Sequence, residues 1–153
     1  MRDLNFESKS YTAYQLVLKT DHIHGKARIS SIDTNNLNND IDKGIIPVIT
    51  GFQGINEEGD ITTLGRGGSD TSAVALAVAL KADECQIYTD VDGVYTTDPN
   101  TYNKAKKINT LTFEEMLELS SLGAKVLQIR SVEFASKYNI CLLYTSDAAD
   151  EED

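Results

Sequence analysis

Leu64-Gly65-Arg66-Gly67-Gly68-Ser69-Asp70-Thr71-Ser72 runs without a break into Ala73-Val74-Ala75-Leu76-Ala77-Val78-Ala79-Leu80. Gly65, Gly67 and Gly68 permit backbone angles and close approaches that other residues resist. The run behind them, Thr71 to Lys81, is apolar on nearly every face, which predicts a helix packed deep in a fold. A glycine turn opening onto a helix points unpaired N–H groups and a partial positive charge at whatever occupies the turn, so an anion belongs there. Ser69, Asp70 and Thr71 are all candidates to cap that helix. No Gly-Lys-Ser/Thr follows and the G-x-G-x-x-G spacing is absent, so this is neither a Walker A loop nor a dinucleotide fingerprint. Arg66 stands in the turn as a planar fork suited to a carboxylate or phosphate.

Working outward, strands and helices alternate. Lys9 to Ala13 and Gly44 to Phe52 read as strands, the second a near-continuous apolar run typical of a buried parallel strand. Asp33 to Lys43 is a polar helix candidate between them. Asn56 to Asp60, with Glu58-Gly59, predicts a hairpin turn that leads through Ile61-Thr62-Thr63 into the glycine stretch. Cys85 to Thr89 is the next strand. Thr112-Phe113-Glu114-Glu115 is a capping box for a helix through about Leu122, stopped by Gly123, and Arg130 to Tyr138 suggests one more helix. Strand, glycine turn, helix and strand follow βαβ logic, with ligands beyond the carboxyl ends of strands. Arg66 to Asp70 and Thr89-Asp90 both fall at such ends, which predicts that they lie near each other.

Composition narrows the function classes. A chain of 153 residues with 41% apolar residues is of single-domain size and ordinary for a globular α/β protein. Its formal charge is −10, and five of the acids fall in the last seven residues. An acidic body with no basic face argues against nucleic acid as a partner. No apolar stretch is long enough to span a membrane and the first residues lack signal-peptide character, so a cytoplasmic location is expected. Cys85 and Cys141 form no metal or redox motif and read as plain thiols.

Three segments together resemble one family. They are Gly65 to Thr71; Thr89-Asp90-Val91-Asp92-Gly93-Val94-Tyr95-Thr96-Thr97-Asp98-Pro99; and Gly123-Ala124-Lys125-Val126-Leu127. They look like the aspartate kinases of the amino acid kinase superfamily, with support from Ile23 to Ile29 and from Val48 to Gly54. The resemblance implies an amino acid kinase-like three-layer αβα sandwich with a mainly parallel sheet, present here as a partial domain over residues 1–140. It implies transfer of the ATP γ-phosphoryl group to the side-chain carboxylate of L-aspartate, with Mg²⁺ bridging the phosphates, and a homo-oligomer at full length. By the same likeness Arg66 and Ser69 hold the aspartate, and Asp70 orients phosphate-binding lysines. Thr89, Asp90 and Tyr95 contact the adenine and ribose side, and Lys125 reaches the ATP phosphates. One departure is Asn100, where the family commonly has an arginine near the nucleotide; Lys104 is the expected substitute.

The family's opening Lys-Phe/Tyr-Gly-Gly-Thr-Ser turn, its amine-holding glutamate and its ACT domains have no counterpart in this sequence. Residues 1–153 alone are therefore expected to show no measurable aspartate kinase activity. The resemblance ends at Ile140, so residues 141–153 read as an off-family acidic tail, expected to be disordered and of foreign origin or simply divergent and solvated. Two other readings remain: a related kinase of the superfamily with another substrate, such as glutamate 5-kinase, acetylglutamate kinase or uridylate kinase, and a non-catalytic nucleotide-binding fragment. Taken singly, Ser69 or Asp70 would read as a helix cap, Lys125 as a cation near a helix end, and Thr89-Asp90 as a strand-end turn. His22 and His24 lack a metal-ligating partner. In Asp90-Val91-Asp92-Gly93 the glycine comes too early for a calcium loop. Tyr11, Tyr14 and Tyr88 are expected to be packing residues.

Overall fold

The computed structural model describes residues 5–89, 93–121 and 127–146. The chain divides between Lys81 and Ala82 into two compact units. The first runs Ser8–Tyr11 (β1), Ala13–Leu16 (α1), Leu18–Thr20 (β2), Ile29–Ile32 (β3), Asn35–Asp42 (α2), Ile46–Ile49 (β4), Gln53–Ile55 (β5), Ile61–Thr63 (β6) and Gly68–Leu80 (α3). The second runs Glu84–Thr89 (β7), Val94–Tyr95 (β8), Lys107–Ile108 (β9), Phe113–Ser121 (α4), Ile129–Tyr138 (α5) and Cys141–Ser146 (β10).

In the first unit β1 and β4 pair in parallel, Ser8 opposite Ile46 through Tyr11 opposite Ile49. A second sheet has the order β3-β2-β5-β6, parallel between β2 and β5 and antiparallel elsewhere. The core joins Tyr11, Leu16 and Leu37, with Ile49, Leu76 and Leu80 packed on it. Each fully buried leucine there contributes about 1.5–3 kcal/mol. Helix α2 is polar, as expected, with Leu37 as its core residue. It is tied to β1 through Asp40, whose carboxylate accepts from the Tyr11 hydroxyl and lies 3.0 Å from the Lys9 ammonium. Helix α3 buries Val74, Ala75 and Ala77 and sends Leu76 and Leu80 to the core. Its all-round apolar character thus has the expected cause.

The expected strand over residues 44–52 is shorter. β4 stops at Ile49, because Gly51 and Phe52 turn the chain and Phe52 takes a left-handed conformation, φ 71°. Likewise β1 ends at Tyr11 and Ala13 enters the single turn α1. Strands β2 and β3 escaped the pattern because each is only three or four residues long. Tyr11 is buried, but Tyr14 and Tyr88 are 66% and 58% exposed, which corrects their reading as packing residues. The Tyr88 hydroxyl instead donates to the Gln86 side chain at 2.6 Å.

In the second unit β7 and β10 pair in parallel over six residues, Glu84 opposite Cys141 through Thr89 opposite Ser146. Val94, Met116 and Val132 form its core, joined by Leu111, Phe113, Leu117, Leu127 and Tyr144. The capping box of α4 is formed: the Thr112 N–H donates to Glu115 Oε2 (2.8 Å) and the Glu115 N–H to Thr112 Oγ1 (3.2 Å). Gly123, its expected stop, lies outside the described residues. Helix α5 ends on Asn139 in the left-handed region. Cys141–Ser146, expected as the start of a disordered tail, is instead a strand, because Leu142 and Tyr144 carry alternate side chains inward while the backbone completes a ladder with β7. Residues 147–153 lie outside the described residues. Cys85 is buried, Cys141 is exposed, and neither is in a disulfide.

Candidate active site

Three loops of the first unit meet at the start of α3, and glycine is what lets them meet. Gly65 has φ +82°, and a Cβ there would stand 2.5 Å from the Gly25 carbonyl oxygen. A Cβ on Gly68 would stand 2.8 Å from Leu64 Cβ and 2.9 Å from the Phe52 ring. The Leu64 N–H donates to the Phe52 carbonyl (3.0 Å) and the Ala27 N–H to the Thr63 carbonyl (3.1 Å), which fasten loops 50–52 and 21–28 to β6.

The cap of α3 differs from the expected one. Gly67, in the left-handed region at φ 65°, is the N-cap, and no side chain bonds the helix end. Ser69 and Asp70 are therefore the second and third helical residues rather than caps, and Thr71 sends its hydroxyl back to the Gly67 carbonyl (3.1 Å). The cause is local: with Gly67 left-handed, the Gly68 N–H closes onto the Gly65 carbonyl (2.9 Å) and the helix starts before any hydroxyl can reach it. Among the described residues, the N–H groups of Ser69 and Asp70 have no acceptor. These are the donors that a helix start offers to an anion.

Around these donors stand the side chains predicted from sequence. Arg66 and Ser69 are exposed, and among the described residues Arg66 makes no ion pair. Asp70 is half-buried, and burial pushes its carboxyl above the ordinary aspartate value. Sequence reasoning missed the turn beside them. Phe52 holds a left-handed backbone that costs a bulky residue about 1–3 kcal/mol, and its ring edge lies against Gly68. The signal available was Gly51 and Gly54 bracketing an aromatic residue.

In the second unit Thr89 sits at the carboxyl end of β7 and Tyr95 in β8, both half-buried. Asp90 and Lys125 lie outside the described residues. The segment after Tyr95 folds back through the Thr96 N–H to the Lys106 carbonyl (2.9 Å) and the Lys106 N–H to the Thr96 hydroxyl (3.1 Å). Asp98 then organises a turn, accepting from the Asn100 N–H (2.9 Å) and the Thr101 hydroxyl (3.1 Å). Those donors, the Asn100 N–H first, hold the Asp98 carboxyl below its usual range. Asn100 thus serves this turn, while Lys104, its expected substitute toward the nucleotide, is exposed.

The arrangement has relatives. An aspartate kinase of Pseudomonas putida is 63% identical over 133 residues, which cover 87% of this chain and 32% of that protein. Aspartokinase 2 of Bacillus subtilis is 51% identical over 151 residues, 99% of this chain and 37% of that protein. The chain thus spans about a third of the length of the curated relatives it matches. Among solved structures, E. coli aspartokinase III in complex with aspartate and ADP superposes with a TM-score of 0.86 at 33% identity, covering 95% of this chain and 33% of that one. The expected fold is borne out by that superposition. The sequence model of the Amino acid kinase family matches residues 1–143, and with its glycine loop, helix and parallel strands in place, this chain belongs to the amino acid kinase family.

Proposed function

We propose that the chain carries part of the machinery that transfers the ATP γ-phosphoryl group to the side-chain carboxylate of L-aspartate, giving 4-phospho-L-aspartate. The observation that carries this reading is the side-chain-free start of α3, where two N–H groups without an acceptor among the described residues stand beside Arg66 and Ser69 in a concentration of anion-binding groups. The relative in complex with aspartate and ADP supports the same assignment of ligands.

The chemistry asks for positioning more than for acid or base. An aspartate side chain, with a reference pKa of about 3.9, is ionised at neutral pH, so no general base is needed. The barrier is to bring one anion in line against another, and the protein contributes cations and oriented N–H groups. In this reading Arg66 forks onto the α-carboxylate of aspartate, Ser69 hydrogen-bonds it, and Asp70 orients phosphate-binding ammonium groups. Thr89, Asp90 and Tyr95 hold the adenosine side and Lys125 the phosphates. Among the described residues no group of three or more His, Cys, Asp or Glu side chains could hold a metal. A Mg²⁺ ion bound with the nucleotide would supply charge neutralisation at the phosphates.

The test replaces the matched 133 residues of the Pseudomonas putida enzyme with this sequence and measures ADP release with L-aspartate and Mg·ATP, alongside the chain alone. Aspartate-dependent turnover by the chimera is expected. Turnover that appears only with glutamate, acetylglutamate or UMP would replace the reading by another member of the family, and no turnover with any of them would remove it.

A further inference from the structure

We infer that Ser72 is a positioning residue: its hydroxyl clamps the Gly51-Phe52 turn onto the first turn of α3 and fixes the direction of a free N–H donor there. The inference rests on the reading above, in which this end of α3 takes a carboxylate.

Ser72 is only 2% exposed, one turn inside α3. Its hydroxyl donates to the Ser69 carbonyl at 2.8 Å and accepts the Phe52 N–H at 3.3 Å. The first bond is the local back-bonding that serines commonly make in helices. The second is not local, since it joins residues twenty positions apart. One oxygen thus links the turn to the helix in a donor chain, and such chains strengthen each member by polarisation.

Two consequences follow from elementary geometry. The Ser69 carbonyl and the Asp70 N–H belong to one planar peptide unit. Holding the carbonyl oxygen therefore aims the Asp70 N–H, one of the two donors without an acceptor among the described residues. The other consequence concerns Phe52, whose left-handed backbone persists only where its surroundings over-determine it. Its carbonyl is held by the Leu64 N–H at 3.0 Å, and its N–H is held by Ser72. Without the Ser72 hydroxyl, the N-terminal side of that residue loses its restraint. Gly51 also packs close to the helix start: the position of a Cβ there lies 3.0 Å from Ser72 Oγ and 3.5 Å from Ser69 Cα.

The experiment uses the chimera described above with three variants, Ser72→Ala, Ser72→Thr and Gly51→Ala. Two readouts are taken: hydrogen exchange of the Phe52 amide, and NMR titrations with L-aspartate and separately with ATP. Ser72→Ala is expected to speed Phe52 exchange about tenfold, the loss of roughly one hydrogen bond, and to weaken L-aspartate by a similar factor while ATP binding is unchanged. Ser72→Thr keeps a hydroxyl able to make the same back-bond and is expected to restore both. Gly51→Ala presses a methyl group onto the clamp from outside the helix and should weaken L-aspartate alone, which keeps the test alive if Ser72→Ala fails to fold. Unaltered Phe52 exchange in Ser72→Ala overturns the clamp. Faster exchange with unaltered L-aspartate affinity, in Ser72→Ala or in Gly51→Ala, overturns its positioning role. No L-aspartate uptake by the unsubstituted chimera would fail the underlying reading of function, a result the exchange data separate from failure of the clamp.

Discussion

Helices α3 and α4 begin in opposite ways. The start of α4 is closed by side chains: Thr112 and Glu115 exchange bonds with each other's backbone N–H groups. The start of α3 is closed by backbone alone, through a left-handed Gly67 and the Gly68 N–H on the Gly65 carbonyl, and among the described residues nothing accepts from the Ser69 and Asp70 N–H groups. A capping box makes a helix stable and chemically silent at that end. A glycine start forgoes part of that stability and leaves donors for a ligand. The difference separates a helix closed at its start from one whose start is open to a ligand.

The strongest way to break this contrast is Gly65→Ala. A left-handed backbone and a Cβ placed 2.5 Å from the Gly25 carbonyl oxygen leave no relaxed solution. We expect a loss of about 3 kcal/mol or more, with a drop in Tm of roughly 10 °C. A Tm within about 2 °C of the unsubstituted chain would show that the loop relaxes at little cost.

Arg66→Lys acts on the ligand rather than the fold. It keeps the charge and loses the fork, so in the active chimera KM for aspartate should rise roughly tenfold or more with KM for ATP unchanged. Stability should move by less than about 0.5 kcal/mol, since Arg66 is exposed. Equal rises in both KM values would detach Arg66 from the aspartate half of the site.

The two caps can then be set against each other directly. Thr112→Ala should cost about 1 kcal/mol of stability in a urea titration and leave aspartate affinity intact. Ser69→Ala should cost less than about 0.5 kcal/mol, because Ser69 is not a cap, and should weaken aspartate instead. If Ser69→Ala costs as much stability as Thr112→Ala, the glycine start is no start and the contrast collapses.

The smallest effect expected is one of pH. Burial raises the Asp70 carboxyl, so the folded chain holds that proton to a higher pH than the unfolded chain. Between the ordinary value near 3.8 and the raised one, stability from this group falls as pH rises, and above that window the penalty is constant. Asp70→Asn should match the unsubstituted chain at low pH and slightly exceed it at pH 7. Asp40 has the opposite sign: the Tyr11 hydroxyl first, then the Lys9 ammonium, hold its carboxyl below the ordinary range. Its contribution is present above about 3.8 and disappears as pH falls through the lowered value. Urea midpoints from pH 2 to 7 for Asp70→Asn and Asp40→Asn should therefore depart from the unsubstituted chain in opposite directions at neutral pH. Parallel departures would contradict one of the two assignments.

Much of this molecule is written in short-range chemistry. The apolar run after the glycines specifies α3, Thr112 and Glu115 specify the start of α4, the 56–60 turn specifies the β5-β6 hairpin, and the seven-residue string marks the candidate site. Each depends on residues within one or two turns of one another, so periodicity and turn preference suffice. What the tertiary structure decided depends on contacts between distant residues. The glycine loop before α3 packs against Gly25 and Phe52, which leave no room for a Cβ on Gly65 or Gly68. Cys141–Ser146 became a strand because β7 offers it a ladder. Ser72 became a clamp because a turn twenty residues upstream donates to it. A hydrogen bond or close contact between residues far apart in sequence exists only once the chain has brought them together, and no local pattern encodes it.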